Sequence, residues 1–165
     1  MMMHIQIDTR EHAGQVERIE QQLDALGVKH FRSKLYVGDY QSLDNPRLIV
    51  DRKKDLQELA GNVCQQHERF RAELIRAQET GIQLVILCEH GGDIKSLEDV
   101  YFWQNPRRRT SPRAISGQRL FKILNTMQEK YGVRFEFCDK RQTGRRIVEI
   151  LTDDKGGNQT AIQHD

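Results

Sequence analysis

Three short charged clusters carry the residues whose types could do chemistry: Asp8-Thr9-Arg10-Glu11, Gly38-Asp39-Tyr40 and Asp51-Arg52-Lys53. In an extended chain, residues two apart share a face. Asp51 and Lys53 therefore project together, and Arg52 points off that face. If segments 34–40 and 47–53 pair as a hairpin, Asp39 comes to lie beside Asp51. Two carboxylates so close repel each other unless a cation sits between them. Hard oxygen ligands suit Mg²⁺ or Mn²⁺, which keep several waters and bind through one or two carboxylates plus a substrate phosphate. A lysine beside such an ion can orient or deprotonate an attacking water, or stabilise charge on a pentavalent phosphate. The ion supplies Lewis acidity and a hydroxide near neutral pH. Hydrolysis of a phosphodiester is the chemistry that fits these parts.

Each cluster taken singly has an ordinary reading. Gly-Asp is commonly a turn, Asp-Arg-Lys-Lys-Asp a solvated charge run, and Asp-Thr-Arg-Glu a helix N-cap with first-turn charges. Their conjunction favours chemistry, because all three directly follow strand-like runs. Residues 4–8 alternate polar and apolar, and 34–37 and 47–50 are β-rich with a turn-like Ser42-Leu43-Asp44-Asn45-Pro46 between them. Between the first two runs, Val16, Ile19, Leu23 and Leu26 mark a helix over 15–26 that Gly27 stops. A long amphipathic helix is expected over 55–79, then a buried strand at 82–88 and a short helix within 94–103. A structureless basic stretch at 105–116 leads to a helix at 117–131, with Ser116 as its N-cap. A strand at 133–138 and a helix at 141–151 follow. The order predicts an α/β domain over 1–151, a mixed sheet flanked by helices with a β-α-β-β-α-β core and a C-terminal α-β-α, and a polar tail over 152–165.

Composition sets the class. The 165 residues suffice for one ordinary domain, and the net charge of +2 does not by itself announce a nucleic-acid binder. Cys64, Cys88 and Cys138 are odd in number and widely spaced, which argues against a disulfide framework or zinc knuckle and for free thiols in a reducing compartment. No apolar run approaches the length of a membrane span, and the N-terminus lacks the pattern of a signal peptide. The expectation is a soluble, cytoplasmic protein with no membrane partner.

Positive charge is uneven. Residues 106–119 hold Arg107, Arg108, Arg109, Arg113 and Arg119 with no acid among them. Arginine-rich loops are often merely solvated, but this one suits phosphate contact without base readout. Tyr101, Phe102 and Trp103 just before it read as core or interface anchors. His67 reads as helix packing or surface, and His90-Gly91-Gly92 as a turn. Arg69 is a candidate to face the site or a phosphate.

At the three clusters the sequence resembles the XPF-type nuclease family, a branch of the restriction-endonuclease-like, PD-(D/E)XK fold. The family pattern of Asp-x-Arg-Glu, Gly-Asp-Tyr and Glu-Arg-Lys appears as Asp8-Thr9-Arg10-Glu11, Val37-Gly38-Asp39-Tyr40 and Val50-Asp51-Arg52-Lys53. The likeness runs through Arg69-Phe70-Arg71-Ala72-Glu73 to the strand at 84–88, and beyond residue 90 looks most like small phage and prophage members. Asp51 stands where the family has Glu, and Gln57 where it has an acid. The resemblance implies an Mg²⁺- or Mn²⁺-dependent endonuclease acting on branched, flap or junction DNA in repair or recombination. Asp39, Asp51 and Lys53 would be catalytic with Glu11 in support. Asp39, Asp51 and Asp8 would face the metal, and Arg10, Arg52, Arg69, Arg107, Arg108, Arg109 and Arg113 the DNA. A catalytically weak DNA-binding subunit is the alternative. With no room after residue 151 for the tandem helix-hairpin-helix of eukaryotic members, a homodimer would have to use the nuclease domain itself.

Overall fold

A computed structural model describes residues 3–152. Its elements are β1 (His4–Ile7), α1 (Ala13–Ala25), β2 (Lys29–Arg32), β3 (Tyr40–Ser42), β4 (Asn45–Lys53), α2 (Leu56–Cys64), α3 (His67–Glu79), β5 (Gln83–Glu89), α4 (Gly117–Tyr131), β6 (Arg134–Cys138) and α5 (Thr143–Thr152). The strands form one six-stranded sheet in the order β2-β1-β3-β4-β5-β6. β3 runs antiparallel to both β1 and β4, and the remaining pairs are parallel. The fold is thus the expected α/β mixed sheet with helices on both faces. The expected polar tail lies, apart from Thr152, outside the described residues.

Strand alternation divides the core into two layers. Ile49 of β4 joins Leu84, Ile86 and Cys88 of β5 against α2, α3 and α4, where Leu56, Leu59, Phe70, Leu74, Leu120 and Leu124 are buried. Leu48 and Val50 point the other way with Ile5, Ile7, Tyr40, Val85 and Leu87, toward Val16, Ile19 and Leu23 of α1 and Ile147, Ile150 and Leu151 of α5. β5 is covered on both faces, which is why its sequence is almost continuously apolar. Each such side chain contributes roughly 1.5–3 kcal/mol through burial, and the two layers clamp the end of β4 from both sides.

Four local expectations change. No strand forms over 34–37; Leu35 and Val37 are buried, yet regular pairing begins only at Tyr40. An edge strand, β2, pairs parallel with β1 instead, and its Lys-His-Phe-Arg sequence carries no apolar alternation. The helix expected over 55–79 is two helices, because the amides of Gln65 and Gln66 both donate to the Gly61 carbonyl and the backbone turns at Gln66. Val63 and Phe70, seven residues apart, both face the core, so apolar spacing alone does not reveal the break. Finally, the basic stretch is structured. A 3₁₀ turn covers Pro106–Arg109, and Ser116 caps α4 by accepting from the Arg119 amide at 3.2 Å.

Cys64, Cys88 and Cys138 are free thiols, the second buried and the third half-buried. Among the described residues no helix is long and apolar enough to cross a membrane.

Candidate active site

The end of β4 is where the two layers diverge chemically. Asp51 and Lys53 continue the face of Ile49, toward α2 and α3, and the Lys53 ammonium stands 3.2 Å from Asp51 Oδ2. Lys53 also lies over the Phe70 ring, 5.5 Å from its centroid. Asp39 reaches the same place from the turn before β3. Gly38 makes that turn at φ +72°, and a β-carbon there would meet Ile49 Cγ2 at 2.3 Å. Glycine therefore lets the turn close onto β4. The Asp39 amide donates to the Val50 carbonyl at 2.9 Å, and the Arg52 amide donates to Asp39 Oδ2 at 2.7 Å. Backbone bonds thus fix the Asp39 carboxyl beside Asp51.

A third acid joins them. Glu73 descends from α3, one turn after the core residue Phe70, and its carboxyl stands close enough to Asp51 to share a proton, as that of Asp39 does. Burial, then the neighbouring Asp51 and Glu11 charges, hold the Asp39 carboxyl well above its ordinary range, against a smaller opposing effect of the Arg52 amide. Burial and then Asp51 push Glu73 up to about 7, with Lys53 opposing. Lys53 is pulled down by burial, yet Asp51, Glu73, Glu58 and Asp39 more than offset this and leave it above the usual lysine value. Asp51 Oδ2 and Glu73 Oε1 are buried without a hydrogen-bond partner. Buried, unpaired carboxylate oxygens are costly in a closed fold and are favourable positions for a cation.

Arg52, between Asp51 and Lys53, turns to the opposite layer and is only 8% exposed. Its guanidinium donates to both Glu11 oxygens, Nε at 2.7 Å and Nη2 at 3.2 Å, and to Glu89 Oε1 at 2.6 Å. The second Glu89 oxygen accepts from Arg18 Nη2 at 2.6 Å and from the Thr143 hydroxyl. The Tyr40 hydroxyl donates to Glu11 at 2.9 Å. Arg52, expected to face DNA, is enclosed between the Glu11 and Glu89 carboxylates, and Glu11, expected among the catalytic acids, is engaged by Arg52 and Tyr40. Asp8 is also occupied: its carboxylate accepts from the Leu35 amide at 2.8 Å and from Arg10 Nε at 2.8 Å. That satisfied carboxylate ties down the loop before Gly38, in place of the metal contact expected of it.

Arg10 itself is 58% exposed, and the charges of Asp39 and Glu73 bear on it. Its Nη2 donates to the Leu35 carbonyl at 2.8 Å, so it stands fixed beside the acids. Arg69 lies across a cleft of about 230 Å³ that Lys53, Glu58, Asn62 and Glu73 also line. The structure therefore brings together Asp39, Asp51, Lys53, Arg10 and Arg69, and adds Glu73. The available signal for Glu73 was its place three residues after the inward Phe70, legible only once α3 is known to start at His67. Gln57 takes no part; its side chain donates to Asn105 Oδ1 at 2.5 Å. Asp55 caps α2 through the Glu58 amide, and Glu58 accepts from the Lys54 amide at 2.7 Å.

Asn105 organises the basic segment. It is buried, donates to the Ile115 carbonyl at 2.8 Å, and accepts from the Arg107 amide at 3.0 Å as well as from Gln57. Both ends of the segment are thereby tied to α2. Arg107, Arg113 and Arg119 line a pocket of about 470 Å³ against α2, while Arg108 and Arg109 are exposed and Arg108 donates to the Ala114 carbonyl. Trp103 is buried with the half-buried His90 at its edge, and Phe102 is exposed. His67 is an exposed helix residue.

Comparison with known proteins accords with this layout. The family model described as "ERCC4 domain" matches residues 7–150. Among solved structures, XPF from Aeropyrum pernix is similar with a TM-score of 0.61 and 22% identity, covering 93% of this chain and 63% of that one. The same protein in complex with DNA is similar with a TM-score of 0.63 and 24% identity, covering 90% of this chain and again 63% of that one. At such identities these likenesses establish the fold, and the chain spans less than two thirds of the XPF chains it matches. A search of curated proteins finds no match. Because the family model spans nearly the whole of the described sheet and its helices, the chain belongs to the ERCC4-domain family, that of the XPF-type nucleases.

Proposed function

We propose that this chain is a Mg²⁺- or Mn²⁺-dependent DNA endonuclease that hydrolyses phosphodiesters in branched, flap or junction DNA. The observation that carries the reading is the juxtaposition of Asp39, Asp51 and Lys53 at one sheet face, where the buried Asp51 Oδ2 makes no hydrogen bond and has only the Lys53 ammonium, 3.2 Å away, as a charged neighbour. The donor set fits a hard divalent ion, which takes carboxylate oxygens and keeps waters for the rest of its sphere. Asp39 and Asp51 would hold it; when bound it supplies Lewis acidity and lowers the pKa of a coordinated water.

The remaining roles belong to the chain. Lys53, 3.2 Å from Asp51, would orient or deprotonate the attacking water, or act as a donor and positive charge toward the phosphate. The attacking water oxygen forms a bond to phosphorus as the bond to the leaving oxygen breaks. Arg10 and Arg69, beside the acids, suit the non-bridging oxygens. Further along, Arg107, Arg109, Arg113 and Arg119 suit the backbone of the same DNA, held in place by Asn105. DNA as the substrate is supported by family membership and by the A. pernix relative having been solved with DNA, and the preference for branched DNA follows from the resemblance to XPF-type nucleases.

The test is incubation of the purified chain with labelled duplex, flap, fork and four-way junction DNA in Mg²⁺ or Mn²⁺. The expected outcome is cutting of the branched substrates that chelator abolishes. Replacing Arg107, Arg109 and Arg113 by alanine should weaken DNA binding and flatten its salt dependence. DNA binding without any cutting would favour a catalytically weak binding subunit instead.

A further inference from the structure

We infer that the cleft between α2, the basic segment and the start of α4 holds one unpaired nucleotide of the DNA, so that a single-stranded arm is recognised beside the cutting site. The inference deepens the endonuclease reading above and rests on DNA being the substrate. The cleft encloses about 470 Å³, within the range of pockets that take one small molecule. Its charge is of one sign. Arg107, Arg113 and Arg119 reach it, and among the described residues no acid lines it. Its apolar part is formed by Ala60 and Val63 of α2 together with Ile115 and Ile123.

That mixture selects the ligand. A phosphate alone would use the arginines and leave the apolar wall idle, and an apolar ligand would leave the guanidiniums without partners. A nucleotide presents both a phosphate for charge-assisted bonds and a flat base, whose faces accept apolar side chains and guanidinium planes. A duplex does not meet the second requirement, because its bases are stacked inside and its convex backbone faces outward. An unpaired base can be splayed out into a recess.

Two residues keep the recess open. Asn105, only 6% exposed, accepts from the Arg107 amide and Gln57 and donates to the Ile115 carbonyl, which fixes the basic segment across from α2. Gly61 is the sixth of the nine residues of α2, although glycine is the poorest helix former after proline. Its φ is not positive, and a β-carbon there would meet only Gln65 Oε1, at an ordinary 3.6 Å. Neither the backbone nor packing requires glycine. What the missing side chain does is leave the wall of the cleft bare for close approach. The position also fits a branch point. Gly61 and Gln65 line this cleft, and the next residues in each case, Asn62 and Gln66, line the one that holds Lys53 and Arg69. The two clefts therefore open on adjoining sides of the end of α2, within about one helix diameter of roughly 10–12 Å. That is the span of about three nucleotides at roughly 3.4 Å per step. A phosphate at Lys53 and an unpaired nucleotide beside Gly61 would thus straddle the break between α2 and α3.

The test is fluorescence anisotropy in chelator with labelled single strand, blunt duplex and flap DNA, comparing wild type with Gly61→Met. Methionine is a better helix former than glycine, and its side chain would enter the cleft, so the variant should melt at or above the wild-type temperature. The expected result is that its affinity for flap and single strand falls by about tenfold, toward the low end of what one stacked base contributes. Affinity for blunt duplex should change far less. Cys64 gives a second reading, because it is the exposed one of the three free thiols and lines the cleft. Flap DNA bound to the wild type should slow alkylation of Cys64 by N-ethylmaleimide several-fold more than blunt duplex does at equal occupancy. Unchanged flap binding by folded Gly61→Met, equal losses for flap and blunt duplex, or equal protection of Cys64 by both would overturn the inference. The endonuclease reading would survive each of these results, since it stands or falls on metal-dependent cutting by the wild type.

Discussion

Two consecutive residues of β4 meet opposite environments. On one face of the sheet, Asp51 joins Asp39, Glu73 and Lys53 in a group where one buried oxygen each of Asp51 and Glu73 makes no hydrogen bond. On the other, Arg52 joins Glu11, Glu89, Arg18, Thr143 and Tyr40 in a group in which both guanidiniums and both carboxylates are paired. One ångström-scale device, the alternation of a strand, separates an unsatisfied cluster from a satisfied one. The difference teaches how the first is kept in place. Repelling carboxylates would drift apart on a mobile loop. Here the amide of Arg52 holds Asp39 at 2.7 Å, and the side chain of that same residue is locked behind the sheet. The paired face anchors the unpaired one.

Breaking the anchor should have the largest effect. Arg52→Ala leaves Glu11 and Glu89 buried without their shared cation, and should cost about 3–5 kcal/mol, read as a lowered urea midpoint. Thr143→Val removes one donor to Glu89 and should cost about 2 kcal/mol. If Arg52→Ala were nearly neutral, the second face would be no anchor at all.

A smaller effect separates the faces by pH. Asp39 and Glu73 both sit above their ordinary values, the second at about 7, through burial and then the charge of Asp51. For carboxyls raised on folding, the stability they contribute is fully present below the unfolded values of 3.8 and 4.5. It is lost as pH rises through the folded ones. Metal-free protein should therefore lose stability relative to Glu73→Gln between about pH 4.5 and 7. A constant difference between the two across that window would mean that Glu73 is not crowded by Asp51.

How much of this is legible in the sequence follows from the same geometry. The period of a strand is enough to put Asp51 and Lys53 on one side and Arg52 on the other, and a Gly-Asp turn after an apolar run is enough to bring Asp39 alongside. The face that Glu11 and Asp8 adopt is not written in that period, since both lie beyond the last paired residue of β1, in the turn before α1. Their partners, Arg52 and the Leu35 amide, are 41 and 27 residues away in sequence. Glu73 is hidden by the break at Gln65 and Gln66, which no proline or glycine announces and which resets the helical phase. Asn105 is hidden for another reason: a single buried amide that ties a basic segment to α2 looks, in sequence, like any polar loop residue. β2 is an edge strand held by backbone pairing, with nothing apolar to mark it.

The central claim is that chemistry belongs to the Asp51 face and support to the Arg52 face. Single-turnover cutting of flap DNA in Mn²⁺ by Asp51→Asn and Glu11→Gln, each checked for folding by its melting curve, tests it most directly. The account predicts a folded Asp51→Asn protein, at least as stable as wild type without metal, that does not cut. It predicts that Glu11→Gln is destabilised yet still cuts below its melting transition. Cutting retained in Asp51→Asn, or abolished in a fully folded Glu11→Gln, would contradict it.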